Sequence, residues 1–561
     1  MQSVARITVE EAAEQLDVSV ATIRRWCVNQ QIDAIKIGKQ WLVDPKSLAA
    51  VRSRTRKSTA KPNDAPYDLE QAWRYIRHTD VSELWVPEVV RCRDFVDRPD
   101  ELIREAAERL STMRFMPALR IDVPKTVASN RPGVMLEMAD RIAYQAVVGS
   151  FAARIDESVS ANVYSSRIST SQNYFFRRPS NAWTKFTDSV RTNIGPGQMS
   201  WVAQTDITGY FEHIHHNILF EELSALGISG QPLRALRVML SKWCTVEGVG
   251  LPQGPNASRL LGNFYLAAVD ESMEAKGYVY RRYMDDIRIL AHSKSEAVEA
   301  VRDFEKFCRE RGLSCSSNKT KVLSAEEYLA GSDTAELDAA AYSFNAGHPG
   351  AQPMLRKILK QALSAQGVDA TRVRFSVWRL ARVRDASAIN TIIKNLEHLA
   401  PFASVVGAYL RPFITRRTLQ PKLTEFLSDS QRSYSHHLRA WLFAAMLESR
   451  VIPVEWADLA RENATNLNLP PYLRSVAGCV LAKSQSARDI AWLKSRLALE
   501  HDPDVLRANL VALKYGNALN KREVKVVTDR QPRLHIFGEW LLSQGNALPS
   551  LLFADQKINV P

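Results

Sequence analysis

The sequence predicts a multidomain α+β chain: a small N-terminal module, a mixed central body and a helical C-terminal third. Three observations carry this. Residues 7–48 contain two short helical patterns followed by a β-type run. From about 67 to 330, helix-period and strand-period stretches alternate. From about 351 the apolar spacing is helical throughout. The length of 561 residues allows about three or four domains.

In the module, Thr8 precedes Val9–Leu16 with Glu11 three residues on, the pattern of a capping box. Apolar positions 9, 12, 13 and 16 give that helix one face. A second helix follows over 20–28, after a turn at Val18-Ser19. Ile35 to Val43 reads as a hairpin turning near Gly38. Helix, turn, helix and hairpin together resemble the excisionase and MerR-like winged helix-turn-helix family. The resemblance implies duplex DNA as partner, with Ser19, Thr22, Arg24 and Arg25 on the recognition helix and Lys36 and Lys39 on the wing. A protein-binding or self-assembly role for the module is the alternative. Residues 52–66 are polar and Pro-ended, with Arg52, Arg54, Arg56, Lys57 and Lys61, and read as a basic linker.

The central body opens with an amphipathic helix over 101–110. A strand-like run follows at Ala118–Lys125, then an expected turn over Ser129–Gly133 and a second amphipathic helix from Met138. Trp201–Thr205 is an apolar run ending at Asp206, with Phe211 five residues beyond. Gly250–Ser258 is a Gly/Pro-bounded loop leading into an apolar helix. Next, Asp285 and Asp286 lie between two β-type runs, Gly277–Arg282 and Ile287–Leu290. Neighbouring side chains of one extended strand point to opposite faces, so this pair can share a site only at a tight turn. Gly312–Lys319 closes the series.

Four motifs in this order resemble the fingers and palm of reverse transcriptases: Asp206 with Phe211, Leu251-Pro252-Gln253-Gly254, Tyr283-Met284-Asp285-Asp286, and Gly312-Leu313 running to Lys319. The resemblance implies a right-hand polymerase that joins deoxynucleoside triphosphates on an RNA template into a DNA product. Asp206, Asp285 and Asp286 would hold two Mg²⁺ ions, with the Ile207 carbonyl as a further ligand. Phe211 would exclude a ribose 2′-hydroxyl and Gln253 would contact the incoming nucleotide. Lys125 and Arg131 would bind its triphosphate, and Lys319 would protonate the leaving pyrophosphate. The chain departs from the family at Arg259, where many relatives have proline, and at Val163–Arg167, where many carry a Gly-Phe-Arg run. Both departures flank the template path, which puts ordinary template use in doubt.

In the last third, helices are expected at 354–365, 373–382, 388–399, 437–448, 473–483, 490–499 and 504–514. Short Pro/Asp/Asn loops join them, which suggests a HEAT-like α-helical repeat, although the internal period is poor. Trp378, Trp441, Trp456 and Trp492 read as core. A reverse-transcriptase body with a helical-repeat tail resembles the abortive-infection and defence-associated reverse transcriptases of bacteria. Some members of that group copy a non-coding RNA, and others polymerise without a template from a protein hydroxyl. Tyr409, Tyr434, Tyr472 and Tyr515 are unranked candidates for such a hydroxyl.

The expected division is therefore 1–51 for DNA binding, 52–66 as linker, 67–330 for fingers and palm, and 331–561 for the helical repeat, which includes the thumb equivalent. Net charge of +13 suits a polyanionic partner, RNA as well as DNA. Six scattered cysteines without a Cys-x-x-Cys pair, no signal pattern and no membrane-length apolar run point to a reduced, cytoplasmic protein without membrane contact. Homo-oligomerisation is left open. Two other readings compete with an antiphage polymerase. One is a retroelement or group II intron-type reverse transcriptase, and the other is a DNA-binding regulator with a non-catalytic palm.

Overall fold

A computed structural model describes residues 67–79, 86–87 and 99–545, with breaks at 196–197, 332–334 and 365–367. In the N-terminal region it describes 6–16, 32–37, 40–45 and positions 23, 27 and 47. The linker 52–66 lies outside the described residues.

The N-terminal module is a three-stranded antiparallel sheet, β1 (Ile7–Thr8), β2 (Ala34–Ile37) and β3 (Gln40–Val43), in the order β1-β3-β2. The capping box forms as expected. Thr8 Oγ1 accepts from Glu11 N at 3.2 Å, and Glu11 Oε2 accepts from Thr8 N at 2.8 Å. Val9, Ala12, Ile23, Cys27, Ile32 and Val43 make a small core of their own.

The body has two sheets. β4 (Leu119–Pro124) and β5 (Asn130–Met135) form a hairpin in register Leu119↔Met135 to Pro124↔Asn130. This corrects the turn expected over 129–133. The reversal comes earlier, where Lys125 N and Thr126 N donate to Ser129 O at 2.8 and 3.0 Å. Pro132 lacks an N–H but is tolerated because this two-stranded sheet leaves each strand one unpaired edge. The second sheet is antiparallel, with β6 (Trp201–Asp206), β7 (Val279–Tyr283), β8 (Asp286–Ala291) and β9 (Lys321–Ser324) in the order β7-β8-β6-β9. Its strands alternate between two cores. Ala203, Ile287 and Ile289 face the large core that also holds Phe304 of the helix Lys294–Arg309. Val202 and Leu290 face a smaller cluster with Val190, Ile194 and Tyr328. The helix Met138–Gly149 is buried on nearly every side rather than amphipathic.

No strand follows β9 among the described residues. The tail helices share one core running from Ala340 to Leu541. Six of the seven expected helices form close to their predicted bounds. The seventh, 388–399, is broken into a 3-10 turn Ala386–Ala388, a helix Ile389–Lys394 and a 3-10 stretch Leu396–Phe402. Pro401 cannot donate within that stretch. Trp441 and Trp456 are core, as expected, while Trp378 and Trp492 are only partly buried.

The tail returns to the body at several points, the 3-10 stretch Leu396–Phe402 against β4 among them. Tyr472 packs on Val86, Ile121 and Val123. Arg533 Nη1 pairs with Glu137 Oε1 at 2.6 Å. Glu137 Oε2 also pairs with Arg109 Nη2 at 2.7 Å, and Arg109 Nη1 with the buried Asp140 at 2.8 Å.

Candidate active site

Asp206 is the last residue of β6, and its partner across the ladder is Asp286, the first residue of β8. Tyr283 pairs with the same Asp286, so Met284 and Asp285 alone make the reversal between β7 and β8. Met284 takes φ 57°, in the left-handed region. The three carboxylates are thus gathered at one end of the central strands. Burial and the charges of Asp206 and Asp286 push the Asp285 carboxyl up to about 6. Asp286 is raised as well, mainly by burial. Lys319 Nζ stands 2.7 Å from Asp206 Oδ2. Burial opposes its charge, but the three carboxylates outweigh that and raise its pKa.

The loop that brings Lys319 is fastened to the end of β6. Thr208 N donates to Ser314 O at 2.8 Å and Ser316 N to Asp206 O at 2.7 Å. Thr205 Oγ1 and Thr320 Oγ1 are 2.7 Å apart. Ile207 is buried, leaving only its backbone for any ligand role.

Phe211 sits half-buried in a 3-10 turn, Tyr210–Glu212, entered through Gly209 at φ 56°. Tyr210 Oη donates to the Gly262 carbonyl. The ring of Phe211 lies so close to Gly262 that a Cβ there would stand 3.2 Å from it. Leu251 N donates to Phe211 O at 2.7 Å, tying the glutamine loop to the same turn. Gln253 Nε2 reaches Glu212 Oε1 at 3.4 Å.

Lys125 and Arg131 share the β4–β5 hairpin, Lys125 at its turn and Arg131 opposite Val123. On the wing, Lys36 is exposed with Nζ 5.8 Å from the Trp41 ring centre. Ser19, Thr22, Arg24, Arg25 and Lys39 lie outside the described residues. The four tail tyrosines differ in access. Tyr409 is fully buried with its hydroxyl on the Asp385 carbonyl, Tyr515 is buried, Tyr472 is half-buried and Tyr434 is exposed.

The sequence reading missed the group that shapes the hairpin. Arg282 is fully buried. Its Nε donates to Asp270 Oδ1 at 2.7 Å, and Nη2 donates to Asp270 Oδ2. Nη1 reaches Asn263 Oδ1 at 3.1 Å and Met284 O at 3.0 Å. Met284 N donates to Ser165 Oγ at 2.7 Å, and Asn263 Nδ2 to Ser165 O at 2.6 Å. The segment Val163–Arg167 therefore braces the hairpin directly. Arg167 itself is held by Asp156 at 2.8 Å and by the Ser160 carbonyl at 2.7 Å. A signal was present. In a strand with a period of two, one of Arg281 and Arg282 must point inward, and a buried guanidinium needs a carboxylate.

Among the described residues no group of three or more Asp, Glu, His or Cys side chains is arranged to hold a metal ion by itself. Mg²⁺ does not require one, because it takes one or two carboxylates and completes its shell with water and substrate phosphate. Three carboxylates at one strand end, with Asp285 raised by burial and by its neighbours' charge, suit that ion.

Residues 123–348 match the family described as Reverse transcriptase (RNA-dependent DNA polymerase). This stretch is similar to the reverse transcriptase domain family. It contains the hairpin, the strand end, the glutamine loop and Lys319, and extends 18 residues past the expected boundary at 330. Residues 7–56 match the helix-turn-helix domain family. The Retron Ec86 reverse transcriptase of Escherichia coli is 29% identical over 128 residues, covering 22% of this chain and 38% of the relative. Protein YkfC of Escherichia coli strain K12 is 23% identical over 181 residues, 30% of this chain and 42% of the relative. The chain thus spans less than half the length of either relative. A structure of telomerase from Candida albicans with the TWJ fragment of telomeric RNA aligns over 91% of this chain and 76% of that one. Its identity is 9% and its TM-score 0.28, too loose to argue from. No described helix is long and apolar enough to cross a membrane.

Proposed function

We propose that the chain is an RNA-directed, or untemplated, DNA polymerase acting in bacterial antiphage defence. The observation that carries the activity is the register of Asp206 against Asp286 at the tip of a two-residue hairpin. Asp206, Asp285 and Asp286 would hold two Mg²⁺ ions, with the Ile207 carbonyl assisting. When bound, such ions neutralise charge on the attacking and leaving oxygens of an in-line phosphoryl transfer.

The remaining roles belong to the chain's own groups. Lys319, already on Asp206, would hold a proton for the leaving pyrophosphate. Phe211 would close the space beneath C2′ of the sugar, and Gln253 would touch the incoming nucleotide. Lys125 and Arg131 would bind its triphosphate from the β4–β5 hairpin. The N-terminal module, 1–51, would bind duplex DNA, joined by the linker 52–66 to a polymerase body over 67–330. Residues 331–561 would form the helical repeat. The defence role is supported by the pairing of such a body with a helical tail and by the likeness to a retron reverse transcriptase.

The test is incorporation of labelled deoxynucleotides by the purified chain with Mg²⁺. Replacing Asp285 and Asp286 together by alanine should abolish it and leave the circular dichroism spectrum unchanged. Continued incorporation would overturn the assignment. Sequencing of co-purified nucleic acid would then separate templated from untemplated synthesis.

A further inference from the structure

The helix Ala370–Arg382 carries four arginines, and they are not alike. Arg372 is neutralised by Glu336 at 2.6 Å and Asp369 at 3.5 Å. Arg374, Arg379 and Arg382 have no carboxylate partner among the described residues; each lies on an aromatic ring instead. Arg379 Cζ is 3.7 Å from the Phe375 ring centre and 5.4 Å from that of Trp378. Arg382 Cζ is 5.1 Å from Trp378, and Arg374 Cζ is 5.3 Å from Phe402.

A ring fixes the plane of a guanidinium without using its N–H donors, whereas a carboxylate consumes them. Arg379 spends one donor on the Phe375 carbonyl at 3.1 Å and keeps Nε buried without a partner. Positions 374, 378 and 382 share one face and span about 12 Å of helix. Arg374 brings that face within electrostatic reach of Arg131 on β5. Loss of water and the neighbouring charge of Arg131 both hold the pKa of Arg374 below its ordinary value.

We infer that this helix binds the sugar-phosphate backbone of a single nucleic-acid strand, through Arg374, Arg379 and Arg382. Trp378 has arginines against it rather than room for a base, so the contact reads phosphates and not sequence. This goes beyond the polymerase reading and can fail without it.

The experiment uses the full chain without nucleotides and follows the anisotropy of fluorescent oligo(dT) and oligo(rU) over a salt series. Alanine at 374, 379 or 382 should weaken binding several-fold. Each change should reduce the slope of log affinity against log salt by about 0.7. Arg372→Ala, at the ion-paired position, should leave the slope unchanged. Arg374→Lys and Arg379→Lys keep the charge and should keep the slope, which separates phosphate contact from a loss of folding. Equal slopes for the wild type and all three alanine variants would overturn the inference. So would displacement of the oligonucleotides by polyglutamate at equal charge concentration, which would assign the face to an acidic protein. A difference between the two oligonucleotides would tell whether the strand is DNA or RNA.

Discussion

Arg282 Nη1 donates a 3.0 Å hydrogen bond to the carbonyl of Met284, the left-handed residue that turns the chain toward Asp285. The guanidinium is itself held by Asp270, with both groups out of contact with water. The position of the hairpin carboxylates thus depends on a buried ion pair beneath them. Breaking such a pair from one side leaves an uncompensated charge. Arg282→Met should therefore cost about 3–5 kcal/mol in chemical denaturation. Adding Asp270→Leu should recover much of that stability. Incorporation should not return, because Met284 O still lacks its donor. A double variant with wild-type turnover would show that the pair serves packing alone.

Gly262 gives the Phe211 ring its place. A methyl group there would meet Phe211 at 3.2 Å and Tyr210 at 3.3 Å, tighter than ordinary contact. Gly262→Ala should fold, since alanine is favoured in a helix by about 1 kcal/mol. It should raise KM for deoxynucleotides several-fold with little change in kcat. In a Phe211→Val background, which should itself admit ribonucleotides, the added methyl should have no further effect on KM. Steady-state kinetics with both sugar types checks this.

Asp489 gives the tail a defined acid sensitivity. Hydrogen bonds from Arg461 at 2.8 Å hold its carboxyl below the usual carboxylate range, although burial opposes them. A group depressed in the folded state adds stability above its unfolded pKa of about 4. That stability disappears as pH falls through the lower folded value. Asp489→Asn should cost about 1.5–3 kcal/mol at pH 7. The deficit should shrink below about pH 4, where the wild type also protonates. Denaturation measured from pH 7 to pH 3 reads both effects.

The Arg533–Glu137 pair should act as a latch between the tail and the body. Both side chains are about 30% exposed, so Arg533→Ala should cost only about 0.5–1 kcal/mol. Hydrogen exchange should nevertheless rise in the helix His535–Ser543 while β6 and β8 stay protected. Uniformly unchanged exchange would rule the latch out.

The hairpin and the strand end of the central sheet were legible because their signals are local. The run ending at Asp206 and the two β-type runs around Asp285-Asp286 announce themselves within ten residues, as does the Thr8–Glu11 capping box. What stayed hidden depends on distant partners. Arg282 is a surface cation on paper until Asp270 and Asn263, 12 and 19 residues away, close around it. Ser165 reaches the hairpin across 119 residues. Pro132 and Gly133 looked like a turn because nothing local reveals that an unpaired edge will receive them. The helix expected over 388–399 failed for the opposite reason: its apolar spacing outweighed the break at Asn395. Burial likewise separates Tyr409 from Tyr434, which sequence could not rank.

The tie between Glu137 and Arg533 spans 396 residues. On the ribosome, strands β6 to β9 emerge and can pair long before Arg533 is made. During synthesis, then, the central sheet precedes its own brace, and Glu137 must wait for a further 396 residues to be made. A frameshift or stop codon between the sheet and Arg533 would release a protein with Asp206, Asp285 and Asp286 gathered and this fastening missing.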